Sequence, residues 1–366
     1  MSILKVDAIV NENGGTTATI NGYTPTVSNM AGRNRIINGD MRIDQRNTGA
    51  AVTAAGSYVV DRMRITNITD GAFSAQQDSS APVGFTNSVK ITTTTADATL
   101  TTSQSLLLEQ RLEGVNTYDL AWGTANAKTV TLSFWVRSSL TGTFGGALQN
   151  SAQDRSYPFT YSISVADTWE QKTVTIAGDT TGTWLTTTGI GLRLAFGLGA
   201  GPDRSGTAGA WAATNYFSAT GATSVVGTNG ATWYITGVQL EAGSVATPFE
   251  HRQYGQELAL CQRYYQKTNS FMGAGSSSGT LLYGSLTFIT TMRASPTLTP
   301  VGGVLHISDG VAADYNQSST SLTINSNRVS IHGLSYESNN WSGMTNYRPY
   351  FSKQDVSGYF SISAEL

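Results

Sequence analysis

Charge is scarce in this sequence of 366 residues: Asp, Glu, Lys and Arg make up 13% of it, about half the share of an average globular chain. With 22 basic and 24 acidic residues the formal net charge is -2. A field that weak neither steers nor neutralises a phosphate backbone, which argues against nucleic acid as a partner. A single cysteine, Cys261, excludes an internal disulfide or a multi-cysteine zinc site, so burial and backbone pairing must hold the fold. The histidines, His251, His306 and His332, are scattered and form no HExxH-type ligand pair, which removes the usual zinc motif. No apolar run approaches the roughly 18 residues that a membrane-spanning helix needs. Met1 to Val10 lacks the charged start and long apolar stretch of an export signal, so the expectation is synthesis in a cytoplasm without membrane insertion. There is no GxSxG elbow, no fixed repeat, and no Lys-Ser or Lys-Thr pair after Gly197-Leu198-Gly199-Ala200-Gly201, which therefore reads as a loop and not a phosphate cradle.

What is present is a globular, β-forming composition. Hydrophobic residues account for 39%, aromatics for 10%, and glycine for 39 residues, which rules out a disordered tail. Runs of β-formers recur at Tyr58 to Ile65, Phe85 to Thr93, Thr129 to Ser138, Ser156 to Val165, Glu170 to Ile176, Gly189 to Phe196 and Thr232 to Glu241, each bounded by turn residues. Leu132, Phe134 and Val136 alternate with Ser133, Trp135 and Arg137, which predicts one face toward a core and one more open. Arg35 to Asp44 carries an Asn-Gly turn signal between short runs and reads as a hairpin. Many short strands with turns between them predict an all-β fold, with a two-sheet jelly-roll sandwich over residues 34–250. Tyr254, Leu258, Cys261 and Tyr265 fall on one helical face, so Gln253 to Lys267 predicts a short linking helix within 251–269. Asp119 to Ala127 is a weaker helical candidate. After the Gly- and Ser-rich stretch that ends at Gly279, further runs, including Tyr283 to Thr290, Ser321 to Ile324, Arg348 to Phe351 and Gly358 to Ala364, predict a smaller C-terminal β-sandwich over 270–366. Residues 1–33 are polar and weakly patterned, and read either as an extended arm that docks on another chain or as a frayed terminus.

Two carboxylates across a cleft would be needed for glycoside hydrolysis. Asp40, Asp44, Asp61, Glu109, Glu113 and Asp119 are candidates, yet no spacing separates an acid from a nucleophile, and solvated or capping roles fit them as well. Aromatics say more. An indole or phenol face can stack on a sugar ring while short amides satisfy its hydroxyls, and Trp122, Trp184, Trp211, Trp233 and Trp341 are candidates for this. Trp135 and Trp233 lie in strand runs and read as core or sheet-face residues. Two loop-like stretches interleave aromatics with amides: Trp211, Asn215 and Tyr216 in the first, Trp341, Asn346 and Tyr347 in the second. Both fit surface recognition of a glycan and local packing alike.

Three stretches then carry a resemblance. Asn34-Arg35-Ile36-Ile37-Asn38-Gly39-Asp40-Met41, Leu132 to Ser138, and Ile235-Thr236-Gly237-Val238-Gln239-Leu240-Glu241-Ala242-Gly243 with Thr247-Pro248-Phe249-Glu250 resemble bacteriophage tail-fibre and related virion proteins, whose β domains are similar to carbohydrate-binding jelly rolls. Leu258 to Tyr265 and Met292 to Thr297 match what commonly follows in that group. The resemblance covers about residues 34 to 300 and implies a non-enzymatic tail-fibre subunit of the virion. Such a subunit would attach to other tail proteins through residues 1–33, bind host cell-surface polysaccharide and assemble as a homotrimer. It also implies a structural calcium held by Asn38, Asp40 and Glu241, against which stands a plain Asn-Gly-Asp turn with an exposed Glu; no other cofactor is expected. Two other roles stay open: a tailspike-like polysaccharide depolymerase, and a purely structural head-fibre, decoration or tail-adaptor protein.

Overall fold

The alternation along Val130–Ser138 is realised as a strand whose Leu132, Phe134 and Val136 are fully buried, while Trp135 and Arg137 lie half-buried on the opposite face. The computed structural model describes residues 32–268, 282–301, 304–308, 314–318, 328–338, 350–352 and 359–366, which fall into two units divided between Arg252 and Gln253. In chain order the first unit contains β1 (Tyr58–Val60), β2 (Met63–Asn67), β3 (Ala72–Asp78), β4 (Ser88–Thr95), β5 (Ser105–Glu113), β6 (Val130–Ser138), β7 (Gly142–Gln149), β8 (Ser156–Ile163), β9 (Glu170–Ile176), β10 (Ile190–Ala200), β11 (Ser205–Gly206), β12 (Ser218–Ala219) and β13 (Thr232–Ala242). They form a six-stranded sheet, β1-β2-β5-β10-β7-β8, and a five-stranded sheet, β3-β4-β13-β6-β9, with β11 and β12 as a small parallel pair. Every pairing within the two large sheets is antiparallel. Side chains from both sheets share one core, among them Leu106, Leu108, Phe144, Phe159 and Phe196 from the first and Val89, Ile91, Phe134, Trp233 and Ile235 from the second. This is the predicted jelly-roll sandwich.

Two local expectations are corrected. Arg35 to Asp44 forms no hairpin. Asn38 and Met41 take left-handed backbone conformations, with φ of 58° and 59°. The Asn38 amide also takes the place of a strand partner: its Nδ2 donates to the carbonyls of Ile43 and Asp61, and its Oδ1 accepts from the Ile43 N–H. A Cβ on Gly39 would lie 2.2 Å from the Val238 carbonyl oxygen, so only glycine lets this turn close against β13. Of the second candidate helix, Asp119 to Ala127, only the start is helical, in the single 3₁₀ turn Tyr118–Leu120, and turns follow.

The second unit begins with α1 (Tyr254–Gln262) and continues with β14 (Tyr265–Thr268), β15 (Leu282–Thr287), β16 (Thr297–Val301), β17 (Val304–Ser308), β18 (Asp314–Ser318), β19 (Arg328–Val329), β20 (Gly333–Ser338), β21 (Phe351–Ser352) and β22 (Tyr359–Ser363). The helix stops short of the predicted Lys267 because Tyr265 to Thr268 pair with β22, where backbone groups that would extend the helix are taken up by a sheet partner instead. The helix and β14 thus fall inside this unit. Three three-stranded sheets follow, β14-β22-β16, β15-β20-β19 and β18-β17-β21. Leu282, Leu286, Phe288, Met292, Tyr350, Phe360 and Ile362 share its core, and the alternation of Phe360, Ile362 and Ala364 is buried as the sequence predicts. The expected strand Ser321 to Ile324 lies outside the described residues. No helix among the described residues is long and apolar enough to cross a membrane.

Candidate functional site

The five-stranded sheet turns one face to the core and the other outward, and on the outward face one strand is interrupted. Along β13 the register against β6 shifts between Thr236 and Gln239, a bulge of one extra residue. Chain from the sandwich's first segment fills it: Val238 N donates to the Gly39 carbonyl at 2.9 Å, and Asn34 Nδ2 donates to the Val238 carbonyl at 3.1 Å. Within the bulge Gly237 has φ of +62°, and a Cβ there would lie 2.7 Å from Phe85 Cζ and 3.1 Å from Trp135 Cδ1. Glycine therefore makes room for two rings to settle over the strand.

Phe85 and Trp135 join Phe249 and His251 around an open recess of about 590 Å³, whose lining is completed by Val83, Gly84, Gln171, Thr173 and the 246–248 segment. Phe85 meets Phe249 edge-on at 5.1 Å and His251 at 5.4 Å, and Phe249 meets His251 at 4.9 Å. Residues 249–252 alternate in role. Phe249 and His251 line the recess, while Glu250 accepts from the Gly32 and Asn34 N–H groups at 2.7 and 2.8 Å and Arg252 donates to the Ile36 carbonyl at 3.1 Å. Register places Gln171 beside Trp135, and Thr173 beside Ser133, on the same outward face. Among the described residues, no protein group hydrogen-bonds to the Trp135 indole N–H, the Gln171 amide, the Thr173 hydroxyl or the His251 ring. Aromatic faces and unspent polar groups thus converge on a concavity of ligand size, and none of its lining residues is a carboxylate.

The sequence-predicted sites fall elsewhere. Trp211 packs edge-on against Trp122 and Trp184, each at 5.4 Å, and against Tyr157 at 5.3 Å. All three indole N–H groups are used: Trp122 donates to the Lys128 carbonyl at 2.7 Å, Trp184 to Thr181 at 3.1 Å and Trp211 to Ala177 at 2.8 Å. Asn215 bridges Gln149 and Gln153, each at 2.8 Å, and the Tyr216 ring covers Gly206. The structure brings Trp211, Asn215 and Tyr216 together but spends them on holding their loop. Trp341, Asn346 and Tyr347 lie outside the described residues. Trp233, fully buried, is a core residue.

Asn38, Asp40 and Glu241, the calcium candidates, are each engaged by protein groups, with Asp40 Oδ1 buried and without a hydrogen-bond partner. The Asn38 amide is committed to Ile43 and Asp61 as above, Asp40 pairs with Arg42, and Glu241 accepts from Thr247 N at 2.8 Å, Thr247 Oγ1 at 2.7 Å and Gln239 Nε2 at 2.9 Å. No group of three or more His, Cys, Asp or Glu fit for a metal occurs among the described residues. The acid candidates are similarly engaged. Asp44 accepts from the N–H groups of Asn47 and Gly49 at 2.9 and 2.7 Å, Asp61 pairs with Arg46 at 3.3 Å and Asp119 with Arg35 at 2.6 Å. Glu109 is buried beneath Arg193, Arg64 and Arg111. Burial alone would raise its pKa, but the Arg193 and Arg111 charges and the guanidinium hydrogen bonds outweigh it and hold the carboxyl below its usual value.

No family model matches the chain, and no curated protein matches it. Among solved structures, carbohydrate-binding modules and a phage tailspike domain are similar to it. The enzymatically active domain of tailspike protein 4 from bacteriophage CBA120 is 11% identical over 57% of this chain, with a TM-score of 0.31, and the match spans 21% of that chain's length. A Bacteroides thetaiotaomicron protein of proposed sugar-binding function is 14% identical, with 57% of this chain and 100% of that one covered and a TM-score of 0.32. The family 11 carbohydrate-binding module of a Clostridium thermocellum cellulase is 12% identical, with 56% and 99% covered and a TM-score of 0.27.

Proposed function

We propose that this protein binds a polysaccharide through the recess of Phe85, Trp135, Phe249 and His251, and binds it without cutting it. The observation that carries the reading is the unspent hydrogen-bonding capacity of Trp135, Gln171, Thr173 and His251 in an aromatic concavity. Gln171, Thr173 and His251 are exposed, so water holds their donors and acceptors and a ligand's hydroxyls can take its place. Sugars match this lining, with apolar ring faces beside hydroxyls that donate and accept. A lining without carboxylates supports binding over glycoside hydrolysis, which needs two of them at the scissile bond.

In the fuller form of this proposal the protein is a tail-fibre subunit of a phage virion. It attaches through residues 1–33, assembles as a homotrimer and meets host-surface glycan, so that weak single contacts are multiplied across copies. The resemblance of Asn34 to Met41, Leu132 to Ser138 and Ile235 to Glu250 to virion proteins supports that role. The test is to incubate the protein with purified cell-surface polysaccharides and follow both retention and chain-length distribution. Retention with unchanged chain lengths is expected, and release of oligosaccharides would overturn the non-enzymatic reading. Deleting residues 1–30 should leave a soluble, glycan-binding protein that no longer joins the particle; normal incorporation would remove the arm's role.

A further inference from the structure

One row further along the outward face of the five-stranded sheet, chemistry changes from neutral to cationic. The register aligns Gln76, Lys90, Tyr234 and Arg137 across β3, β4, β13 and β6. This row adjoins the one that pairs Thr236 with Trp135 and Trp135 with Gln171. Trp135 and Arg137 are two residues apart on β6 and share a face, hence about 7 Å apart, comparable with one sugar residue. The Arg137 guanidinium lies 4.9 Å from the Tyr234 ring centroid and Lys90 Nζ lies 5.6 Å from it. One tyrosine therefore orients both cations.

Neither cation is fully engaged. Among the described residues Arg137 uses two of its five N–H donors: Nη1 to Ser80 Oγ at 3.0 Å, and Nη2 to Asp167 at 3.5 Å, where the Asp167 side chain is 57% exposed. Lys90 stands 3.9 Å from Asp78. For contrast, Lys172 and Glu170 on β9 are closed at 2.5 Å. Pairs this loose, one of them to an exposed carboxylate, contribute little and yield readily to a better acceptor. A guanidinium set over an aromatic ring, with N–H donors to spare, is suited to a carboxylate in a two-bond fork.

Resting on the glycan reading above, we infer that the polysaccharide is anionic, and that Arg137, with Lys90 beside it, reads an acid group on the sugar next to the one stacked on Trp135. Arg137 is thus the specificity-determining residue of the site. The test is an array of neutral and uronate-containing polysaccharides, such as polygalacturonate, alginate and hyaluronan, each acidic one printed in native and carboxyl-reduced form and probed with the intact chain. A native form that binds roughly tenfold or more tighter than its reduced counterpart is expected, with a preference that weakens as salt rises. Arg137→Gln should bring that ratio close to one while Arg137→Lys keeps part of it. Equal binding of native and reduced forms by the unaltered protein, or a preference that survives in Arg137→Gln, overturns this inference and leaves glycan binding standing. Failure to retain any polysaccharide, neutral or acidic, overturns both.

Discussion

In the cluster of Trp122, Trp184 and Trp211 every indole N–H donates to a backbone carbonyl, whereas the Trp135 indole N–H on the outward face of β6 meets no protein acceptor among the described residues. Both regions join aromatic rings to loop segments of the same sandwich, and both interleave rings with amides and hydroxyls. Composition does not distinguish them; the state of their hydrogen bonds does. A cluster whose donors all end on its own loops has no capacity left for a ligand, while one whose donors and acceptors face solvent around an open concavity can exchange water for a ligand's hydroxyls.

Two substitutions set this contrast against itself, and the larger effect belongs to the closed cluster. Trp122→Ala removes a side chain that is 7% exposed and joins two other indoles, and should cost about 3–5 kcal/mol, read as a fall in the denaturant midpoint. Any protein that stays folded should bind polysaccharide with unchanged affinity. Trp135→Ala should do the reverse: stability within about 1 kcal/mol of the parent and a loss of about 2 kcal/mol in binding, roughly thirtyfold in Kd. If Trp122→Ala lowers affinity while Trp135→Ala spares it, the two clusters have been assigned the wrong way round.

How much of this was legible in the sequence differs from element to element. Strand β9 coincides with the predicted Glu170 to Ile176, and β6 and β13 lie within a residue of their predicted ends, because alternation and turn residues mark them. Two of the strands that the sequence does not mark are hidden for opposite reasons. Ser105–Glu113 has no alternation, since Leu106 and Leu108 enter the main core while Leu107 enters a second cluster with Ala195 and Phe217 on the other face. Gly142–Gln149 is glycine-rich and looks like a turn, although Gly145 and Gly146 are small only to admit Ser218 and Phe159. The recess was hidden by its composition from segments far apart in the chain, around Phe85, Trp135, Gln171 and Phe249. Thr247-Pro248-Phe249 alone reads as a pattern break and Trp135 alone as a sheet residue; the pairing of β6 with β13, and the Glu241 and Gln239 side chains that hold residues 247–250 beside β13, bring them together. One signal was available: Asn34 to Met41 and Ile235 to Gly243 both stood out, and the structure interlocks them at the β13 bulge.

Acid should separate the two regions without any mutation. Asp179 accepts from Arg155 Nε and Nη2 at 2.7 and 2.8 Å and from Thr181 N at 3.1 Å. Burial alone would raise its pKa, but these bonds prevail and hold it below the usual value. The group therefore stabilises the fold above the unfolded carboxyl pKa of about 3.9, and that contribution is lost as pH falls through the lower folded value. Ala177 and Thr181, the acceptors for two of the indoles, flank Asp179. Tryptophan fluorescence of the closed cluster should thus change below about pH 4, and Asp179→Asn should remove that step. The recess has no carboxylate in its lining, so Asp179→Asn, which removes the fluorescence step, should leave polysaccharide binding unchanged at neutral pH; weakened binding would contradict this separation.

The finest test acts on Gly237, the residue that gives Phe85 and Trp135 room over β13. Gly237→Ala asks an L-residue to hold φ of +62° and places a methyl 2.7 Å from Phe85 Cζ. The backbone strain costs roughly 1–2 kcal/mol, and the ring must tilt away from Gly237 toward the concavity that it borders. Stability should fall by about that amount, with a weaker affinity than this cost alone explains, because Phe85 also packs on Phe249 and His251 and carries them with it. An alanine accepted with full binding would mean that Phe85 is only the rim's filler and that Trp135 carries the stacking alone. Partial loss would show that the bulge in β13, by admitting a glycine where the sheet would otherwise place a side chain, is what turns a sheet face into a site.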